Sequence, residues 1–125
     1  MAIRKFTVPV TTASGGGATA YSPWLTGYIE SVEYVKDDFA DTVDFTITAD
    51  ETGESILALT NRTTSGVFRP RAATCGTDGA AALYADTGTA VNDRIALGRD
   101  RIKVVIAEGG DTKSGAFIIS VDDAR

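Results

Sequence analysis

The sequence predicts an all-β protein, folded as a single antiparallel β-sandwich or a jelly-roll-like barrel. The first observation is that apolar and polar residues alternate with a period of two in most apolar segments, as expected of half-buried strands. The second is that no segment keeps a helical period. The third is a length of 125 residues with 43% hydrophobic content, which suits one domain, residues 1–125, with its own core.

Two strands are predicted in the first third of the chain. Met1–Val10 alternates and contains Pro9, whose missing backbone N–H indicates a sheet edge or a nearby bulge. Leu25–Lys36 also alternates, but the apolar residues before and after position 30 have opposite parity. A β-bulge near Glu30-Ser31 would bring both sets of apolar residues to the same face of the sheet.

Four further strands form two predicted hairpins. Thr42–Asp50 and Ser55–Thr60 flank a turn that contains Gly53, a residue free to adopt positive φ. Asp100–Glu108 and Lys113–Val121 flank the turn sequence Gly-Gly-Asp-Thr, so a second hairpin is expected there. Both faces of the last strand are largely apolar, which predicts a central position in its sheet.

The middle of the chain, residues 61–98, is predicted to be a loop-rich interface region. It contains many Thr, Ala and Gly residues and few large apolar ones, and long ordered connections usually serve a binding surface. Short strands are expected within it at Gly66–Arg71, Ala80–Ala85 and Arg94–Leu97. Residues 1–17 could act as an extended arm onto a neighbour, because a flexible Ser-Gly-Gly-Gly sequence follows the first strand.

The composition argues against an enzyme, and we predict no cofactor and no metal site. The chain has no histidine, the commonest side chain in acid–base catalysis near neutral pH. Cys75 is its one cysteine, so neither an intrachain disulfide nor a thiolate zinc cluster is possible. The net charge of −5 disfavours binding to nucleic acid, and no apolar run approaches the ~20 residues of a membrane-spanning helix.

Two motifs resemble ligand sites but favour simpler interpretations. The acidic run Asp37–Asp44, continued by further acids up to Glu54, could hold Ca²⁺. Its spacing is not that of an EF-hand, so a solvated turn is the favoured interpretation. The segment Gly109–Gly115 resembles a phosphate-binding loop that ends in Lys-Ser. Thr112 replaces the glycine before the lysine, and a strand rather than a helix follows, which favours a turn.

Two groups of residues are candidates for contacts with a partner. Phe68 precedes Arg69-Pro70-Arg71, where a stiff proline separates two arginines, a residue type favoured at interfaces. An aromatic group is expected to fill a core or an interface, or to bind sugar rings; its members are Tyr21, Trp24, Tyr28 and Tyr34. The acids of the first half and the arginines of the second half could also pair between neighbouring copies.

Four segments together resemble a known class of proteins. They are Leu25–Lys36 (LTGYIESVEYVK), Val43–Glu54 (VDFTITADETGE), Arg69–Ala73 (RPRAA) and Arg101–Gly110 (RIKVVIAEGG). Their arrangement resembles the small β-rich virion structural proteins of tailed bacteriophages, of the head decoration or cement, spike-base and connector types. The resemblance implies a non-enzymatic protein whose partners are the major capsid protein and neighbouring copies of itself.

The leading expectation is therefore a decoration or cement protein on the outer capsid surface of a virion, which stabilises neighbouring capsomers. It would be a homo-oligomer assembled in the host cytoplasm, a compartment that suits a lone cysteine. The residues expected to contact the partner are Trp24, Phe68, Arg69 and Arg71. Two alternatives remain open: a head–tail connector or tail structural protein, and a carbohydrate-binding module that uses the aromatic group.

Overall fold

The computed structural model describes residues 2–86 and 88–123. Met1 of the predicted first strand, Thr87 of the predicted interface region and positions 124–125 lie outside the described residues. In the described part, no helix is long and apolar enough to span a membrane. The described residues form ten strands: β1 (Ile3–Thr11), β2 (Ala18–Tyr21), β3 (Leu25–Val35), β4 (Asp44–Ala49), β5 (Ser55–Leu59), β6 (Gly66–Phe68), β7 (Arg71–Ala73), β8 (Asn92–Asp100), β9 (Ile102–Ala107) and β10 (Ser114–Asp122).

The strands form two antiparallel sheets that pack against each other, so the predicted β-sandwich is confirmed. The six-stranded sheet has the order β1-β10-β3-β8-β7, and its sixth strand, β6, pairs with β3. The four-stranded sheet has the order β2-β9-β4-β5. Because β1 and β2 belong to different sheets, the Gly-rich residues 14–17 carry the chain from one sheet to the other.

The core lies between the sheets and contains an aromatic cluster. The ring of Tyr34 lies 4.8 Å from that of Phe45, 5.3 Å from that of Phe117 and 6.4 Å from that of Phe39, measured between centroids. Phe39 comes from the loop after β3, which the sequence predicts to be solvated, yet its side chain is buried. A Cβ at Gly115 would collide with the Phe39 ring, so a glycine at this position is what admits the ring to the core.

The predicted bulge of β3 is confirmed. Ser31 pairs with Ser120 and Ile29 pairs with Val121, so Glu30 is the extra residue of β3. The bulge restores the alternation, because it allows the apolar residues on both sides of it to be buried in the same core. It also leaves the Glu30 side chain among charged groups outside the core.

Three other local predictions are also confirmed. β1, which contains Pro9, is an edge strand of its sheet, and β10 lies between two neighbours. β4 and β5 form the predicted antiparallel hairpin, and Gly53 in its turn has a φ of 75°. In each case the deciding signal is local: a missing N–H, apolar residues on both faces, or a turn glycine between two alternating segments.

The second predicted hairpin is wrong. β9 pairs with β2 and β4 in one sheet, whereas β10 pairs with β1 and β3 in the other. The connection at residues 108–113 therefore crosses between the sheets instead of reversing the chain within one of them. A hairpin within one sheet and a crossover between two sheets both fit alternating segments joined by turn glycines. The sequence pattern therefore could not distinguish the hairpin from the crossover.

The two predicted interface segments are more regular than expected. β1 pairs with β10 from Ile3 to Thr11, so most of the proposed N-terminal arm belongs to the chain's own sheet. The predicted strand Gly66–Arg71 is interrupted at Arg69-Pro70, which separates β6 from β7. β8 takes up residues 92–98 of the predicted loop region, whereas Ala80–Ala85 makes only isolated bridges at Ala81 and Leu83. The short strand β2 was not predicted.

Candidate functional site

An arginine lies between two exposed aromatic rings at one end of the sandwich. The guanidinium carbon of Arg101 lies 4.0 Å from the ring centroid of Tyr21 and 5.0 Å from that of Trp24. Its Nε donates a hydrogen bond of 2.8 Å to Asp50 Oδ2. We call these four residues the aromatic–arginine cluster. A cation–π contact at a surface contributes about 0.5–1 kcal/mol, so the arginine holds both rings in place while Trp24 remains 45% exposed.

The neighbouring Asp100 carboxylate fixes the backbone beneath this cluster. Asp100 is only 3% exposed, and its Oδ1 accepts hydrogen bonds from the backbone N–H groups of Glu51 at 2.9 Å and Arg101 at 2.7 Å. Burial alone would raise the pKa of Asp100, but the backbone hydrogen bonds outweigh it and hold the pKa below its ordinary value. Asp100 therefore stays ionised and ties the β4–β5 turn to the start of β9.

A groove of about 290 Å³ lies beside Trp24. Its lining combines apolar side chains with charged ones, and it includes Phe6, Leu25, Arg4, Arg99 and Asp123. The Nε of Arg4 donates a hydrogen bond of 2.7 Å to Asp123, whereas Arg99 has no ion-pair partner among the described residues. We call this feature the Trp24 groove.

A second group of charges lies on the outer side of the six-stranded sheet, around the bulge of β3. Nη1 of Arg94 donates hydrogen bonds of 2.9 Å to Asp122 and 3.2 Å to Glu30, while Nη2 of Arg71 lies 3.6 Å from Glu30 Oε1. We call these four residues the charged cluster. The hydrogen bonds to Asp122 and then Glu30 raise the pKa of Arg94 above its ordinary value. The cluster links β7 and β8 to β3 and β10.

The charged cluster lies at the base of an extension whose described residues are 74–86 and 88–91. The N–H of Thr74 donates to the carbonyl of Val91 at 2.7 Å, and the N–H of Ala82 donates to the carbonyl of Thr74 at 2.9 Å, so the described part of the extension has backbone hydrogen bonds of its own. Two large apolar side chains are exposed on it, Leu83 at 43% and Tyr84 at 76%.

The four predicted contact residues do not form one site. Trp24 belongs to the aromatic–arginine cluster, and Arg71 belongs to the charged cluster. Phe68 is half-buried, with the guanidinium of Arg62 4.9 Å from its ring centroid. Arg69 is exposed and has no ion-pair partner among the described residues. The structure thus divides the predicted contacts between the Trp24 groove and the base of the extension.

The predicted aromatic group is also divided. Tyr34 is a core residue without exposed surface, whereas Tyr21 and Tyr28 are exposed. Tyr28 makes a cation–π contact with Arg94, whose guanidinium carbon lies 4.6 Å from the centroid of the tyrosine ring. The parity of β3 on the two sides of the bulge predicts this division, because Tyr34 lies in the apolar phase after the bulge and Tyr28 lies outside the apolar phase before it.

The acidic run is distributed among separate partners. The Asp38 carboxylate accepts a hydrogen bond from the N–H of Ser114, Asp41 pairs with Lys36 at 3.0 Å, and Asp44 accepts a hydrogen bond of 2.9 Å from the N–H of Asn61. Over residues 2–86 and 88–123, no group of three or more cysteine, aspartate or glutamate side chains is placed to hold a metal ion. The carboxylates serve turns and single ion pairs instead.

Acidic residues surround the segment Gly109–Gly115, which resembles a phosphate-binding loop in sequence. A shallow depression of about 370 Å³ lies beside it. Glu108 and Asp111 are part of its lining, and these two acidic residues would repel a phosphate group. β10 begins directly after the loop, so no helix N-terminus is present here to bind an anion.

Sequence reasoning missed the partners that arginines find within the chain. It considered contacts between neighbouring copies or ordinary surface charge for the arginines of the second half, but Arg101 pairs with Asp50, and Arg94 pairs with Glu30 and Asp122. The bulge at Glu30 was the one available signal, because bulges often redirect a side chain towards a site. Arg99 gave no signal of its own, since its position in the lining of the Trp24 groove depends on how β8 pairs with β3.

The chain was compared with protein-family models, with curated proteins and with solved structures. No family model matches it, and neither the curated proteins nor the solved structures contain a match.

Proposed function

We propose that this protein is a non-enzymatic structural component of a tailed-bacteriophage virion, a decoration or cement protein that binds the outer capsid surface. The proposal rests on the resemblance of its sequence to small β-rich virion proteins. The structural observation that carries it is the extension at residues 74–91, which exposes Leu83 and Tyr84. We assign to this extension the contact with the major capsid protein.

The chemistry of the extension suits a contact with another protein. Leu83 and Tyr84 supply apolar and aromatic surface, and tyrosine is among the residues enriched at protein interfaces and their hot spots. Val67, on β6, is also exposed. Burial of such side chains in a capsid groove would remove apolar surface from water, worth about 25 cal/mol per Å² before the cost of association.

The base of the extension is held in place, which supports a binding role further. Arg71 and Arg94 both reach Glu30, and Arg94 also reaches Asp122, whose side chain is only 4% exposed. A surface that is already ordered before binding loses less conformational entropy when the partner arrives. Arg69, which is exposed beside this base, remains a predicted contact that could pair with an acidic group of the capsid.

The experiment uses particles of the phage that carries the gene, prepared from a strain in which the gene is deleted. The purified full chain is added, and its co-sedimentation with the particles is measured. We expect saturable binding, and we expect the double variant Leu83→Ser, Tyr84→Ser to lose it. Val105→Ser is the matched control, because Val105 is an exposed apolar side chain on the outer face of the four-stranded sheet.

The control variant is expected to bind like the natural chain. Circular dichroism and the thermal midpoint verify that the double variant is folded, which is expected because both of its altered side chains are exposed. The proposal is overturned if the natural chain does not bind the particles, or if the folded double variant binds them as well as the natural chain does.

The number of copies per particle distinguishes decoration from a place in the connector or tail. Quantitative mass spectrometry of natural particles is expected to give many copies, in proportion to the capsid protein. A number equal to that of a single ring would assign the protein to the head–tail junction. A symmetric oligomer in the capsid is a related expectation, since most homo-oligomers close around a symmetry axis.

A further inference from the structure

The Trp24 groove combines features that the capsid contact proposed above does not use. It is bordered by the exposed residue Trp24, it is apolar at Phe6 and Leu25, and Arg99 is part of its lining. We propose that this groove binds an acidic sugar, a pyranose residue that carries a carboxylate. The inference goes beyond the proposed function, because it assigns a ligand to a site separate from the extension.

The indole of Trp24 supplies a stacking surface for the sugar. The apolar C–H face of a pyranose ring packs on an aromatic face, which is rigid and loses little conformational freedom on binding. Arg101 holds the Trp24 ring, and Arg101 is itself held by Asp50 at 2.8 Å. An exposed tryptophan fixed in this way is a preformed surface for a flat apolar face.

Arg99 supplies the recognition of the carboxylate. A guanidinium binds a carboxylate through two parallel hydrogen bonds, and Arg99 makes no ion pair with any described residue that would compete with the ligand. Its φ is 54°, and it lies where the register between β3 and β8 shifts between Leu25 and Gly27. A bulge of this kind redirects a side chain, here towards the groove.

The remaining polar groups suit the hydroxyls of a sugar. Thr26 lines the groove and offers a hydroxyl that can donate and accept hydrogen bonds. The side chain of Arg4 is 59% exposed and has N–H groups besides the Nε that binds Asp123 at 2.7 Å, so it can donate further hydrogen bonds. The volume of about 290 Å³ lies just below the range for drug-sized ligand pockets, about 300–1,000 Å³, so the groove suits one sugar ring rather than a longer segment.

A phosphate group or a peptide would use this site less completely. Phosphate has no apolar face to pack on the indole, and the net charge of −5 opposes polyanions such as nucleic acids. A peptide C-terminus could pair with Arg99, but it presents neither a flat apolar face to the indole nor hydroxyls to Thr26 and Arg4. An acidic sugar is the ligand class that uses the indole, the guanidinium and the polar groups together.

Trp24 makes the test direct, because the chain contains a single tryptophan and its fluorescence reports on this groove alone. The probe is a tetrasaccharide of alternating glucuronic acid and N-acetylglucosamine, titrated into the full chain. The matched neutral probe is the tetramer of N-acetylglucosamine, which has no carboxylate. We expect a saturable change in Trp24 emission with the acidic probe, and an affinity at least about tenfold lower for the neutral one.

The variant Arg99→Asn tests the assigned cation, since asparagine tolerates positive φ better than most residues and should keep the backbone conformation. We expect it to lower the affinity for the acidic probe by about tenfold or more. The matched control is Arg69→Asn, which removes an exposed arginine from the base of the extension and should leave the affinity unchanged.

Four outcomes would overturn the inference. The first is the absence of a saturable fluorescence change with the acidic probe. The second is equal binding of the acidic and neutral probes, which would remove the role of the carboxylate. The third is unchanged affinity in Arg99→Asn. An acidic peptide that binds at this groove more tightly than the sugar would likewise assign the site to a different ligand class.

Discussion

We expect the buried hydroxyl of Tyr34 to destabilise the folded protein. The side chain is fully buried in the aromatic cluster, and its hydroxyl oxygen has no hydrogen-bond partner among the described residues. Burial of an unpaired hydroxyl is unfavourable, because the group gives up its hydrogen bonds to water and gains none in return. The variant Tyr34→Phe removes the hydroxyl and keeps the ring, so we expect it to be more stable than the natural protein.

The size of the effect follows from this geometry. An unsatisfied buried hydroxyl costs about 1–3 kcal/mol, and loss of the oxygen atom forfeits a few van der Waals contacts with the neighbouring rings. We therefore expect a net gain in the free energy of unfolding of about 1 kcal/mol. For a chain of 125 residues, this gain corresponds to a rise of about 4 °C in the thermal midpoint.

The pH dependence provides an independent signature. Burial raises the pKa of Tyr34 to about 12, and the nearby positive charge of Arg62 offsets only part of this effect. The unfolded chain releases this proton near pH 10, so the contribution of Tyr34 is complete below about pH 10 and is lost as the pH rises towards about 12. The advantage of Tyr34→Phe should therefore grow by about 1.4 kcal/mol between pH 8 and pH 11.

Urea unfolding at pH 8 and pH 11, followed by circular dichroism, measures both quantities. The same pair of measurements on Tyr84→Phe is the control, because Tyr84 is exposed and its hydroxyl remains in water in both states. The reasoning is refuted if Tyr34→Phe is destabilised at pH 8, or if its advantage over the natural chain stays constant up to pH 11.

Three further substitutions test other parts of the structure. Asp100→Asn should lower the free energy of unfolding by about 1.5–3 kcal/mol at pH 7. Because the folded-state pKa of Asp100 is lowered, the difference in stability between the natural chain and this variant should shrink as the pH falls below about 4. A difference that stays constant down to pH 2 would contradict this. Gly27→Ala should lower the free energy of unfolding in urea by about 2–5 kcal/mol, because Gly27 has a φ of 129° and an added Cβ would collide with the backbone carbonyl of Asp122. If the variant were as stable as the natural chain, the backbone would be able to shift. Phe39→Ala should cost about 3–5 kcal/mol in thermal unfolding, because it removes a buried ring from the core; a surface-like loss below about 0.5 kcal/mol would show that the loop is not packed.

Local patterns predicted the strands well where one signal had one structural meaning. The parity change in β3 has a single simple explanation, and the bulge at Glu30 follows from it. Pro9 removes a ladder hydrogen bond, which an edge strand tolerates. The acidic loop after β3 was interpreted less well. Its one aromatic residue, Phe39, is buried because Gly115, which lies 76 positions further along the chain, has no side chain and leaves room for the ring.

The candidate sites were harder to predict than the strands. Trp24 and Arg69 could be recognised as candidates by residue type, but their neighbours could not be named. Arg99 lines the Trp24 groove because β8 is paired with β3 through a register shift. The extension could be recognised as an unusual segment within residues 61–98, yet the two arginines that hold its base are identified only by the position of Glu30 on the adjacent strand.

Four properties could be predicted from the amino-acid sequence alone: the all-β class, most strand positions, the hairpin of β4 and β5, and the absence of histidine chemistry. These are properties of single segments or of composition, and they depend only on the side-chain period of a strand and on residue types. The tertiary structure decided which sheet each strand joins, as β9 and β10 show, since alternation buries a face equally well in either sheet. It also decided where the charges pair, because Arg101 and Asp50 are 51 positions apart and are brought together only by the pairing of β4 with β9.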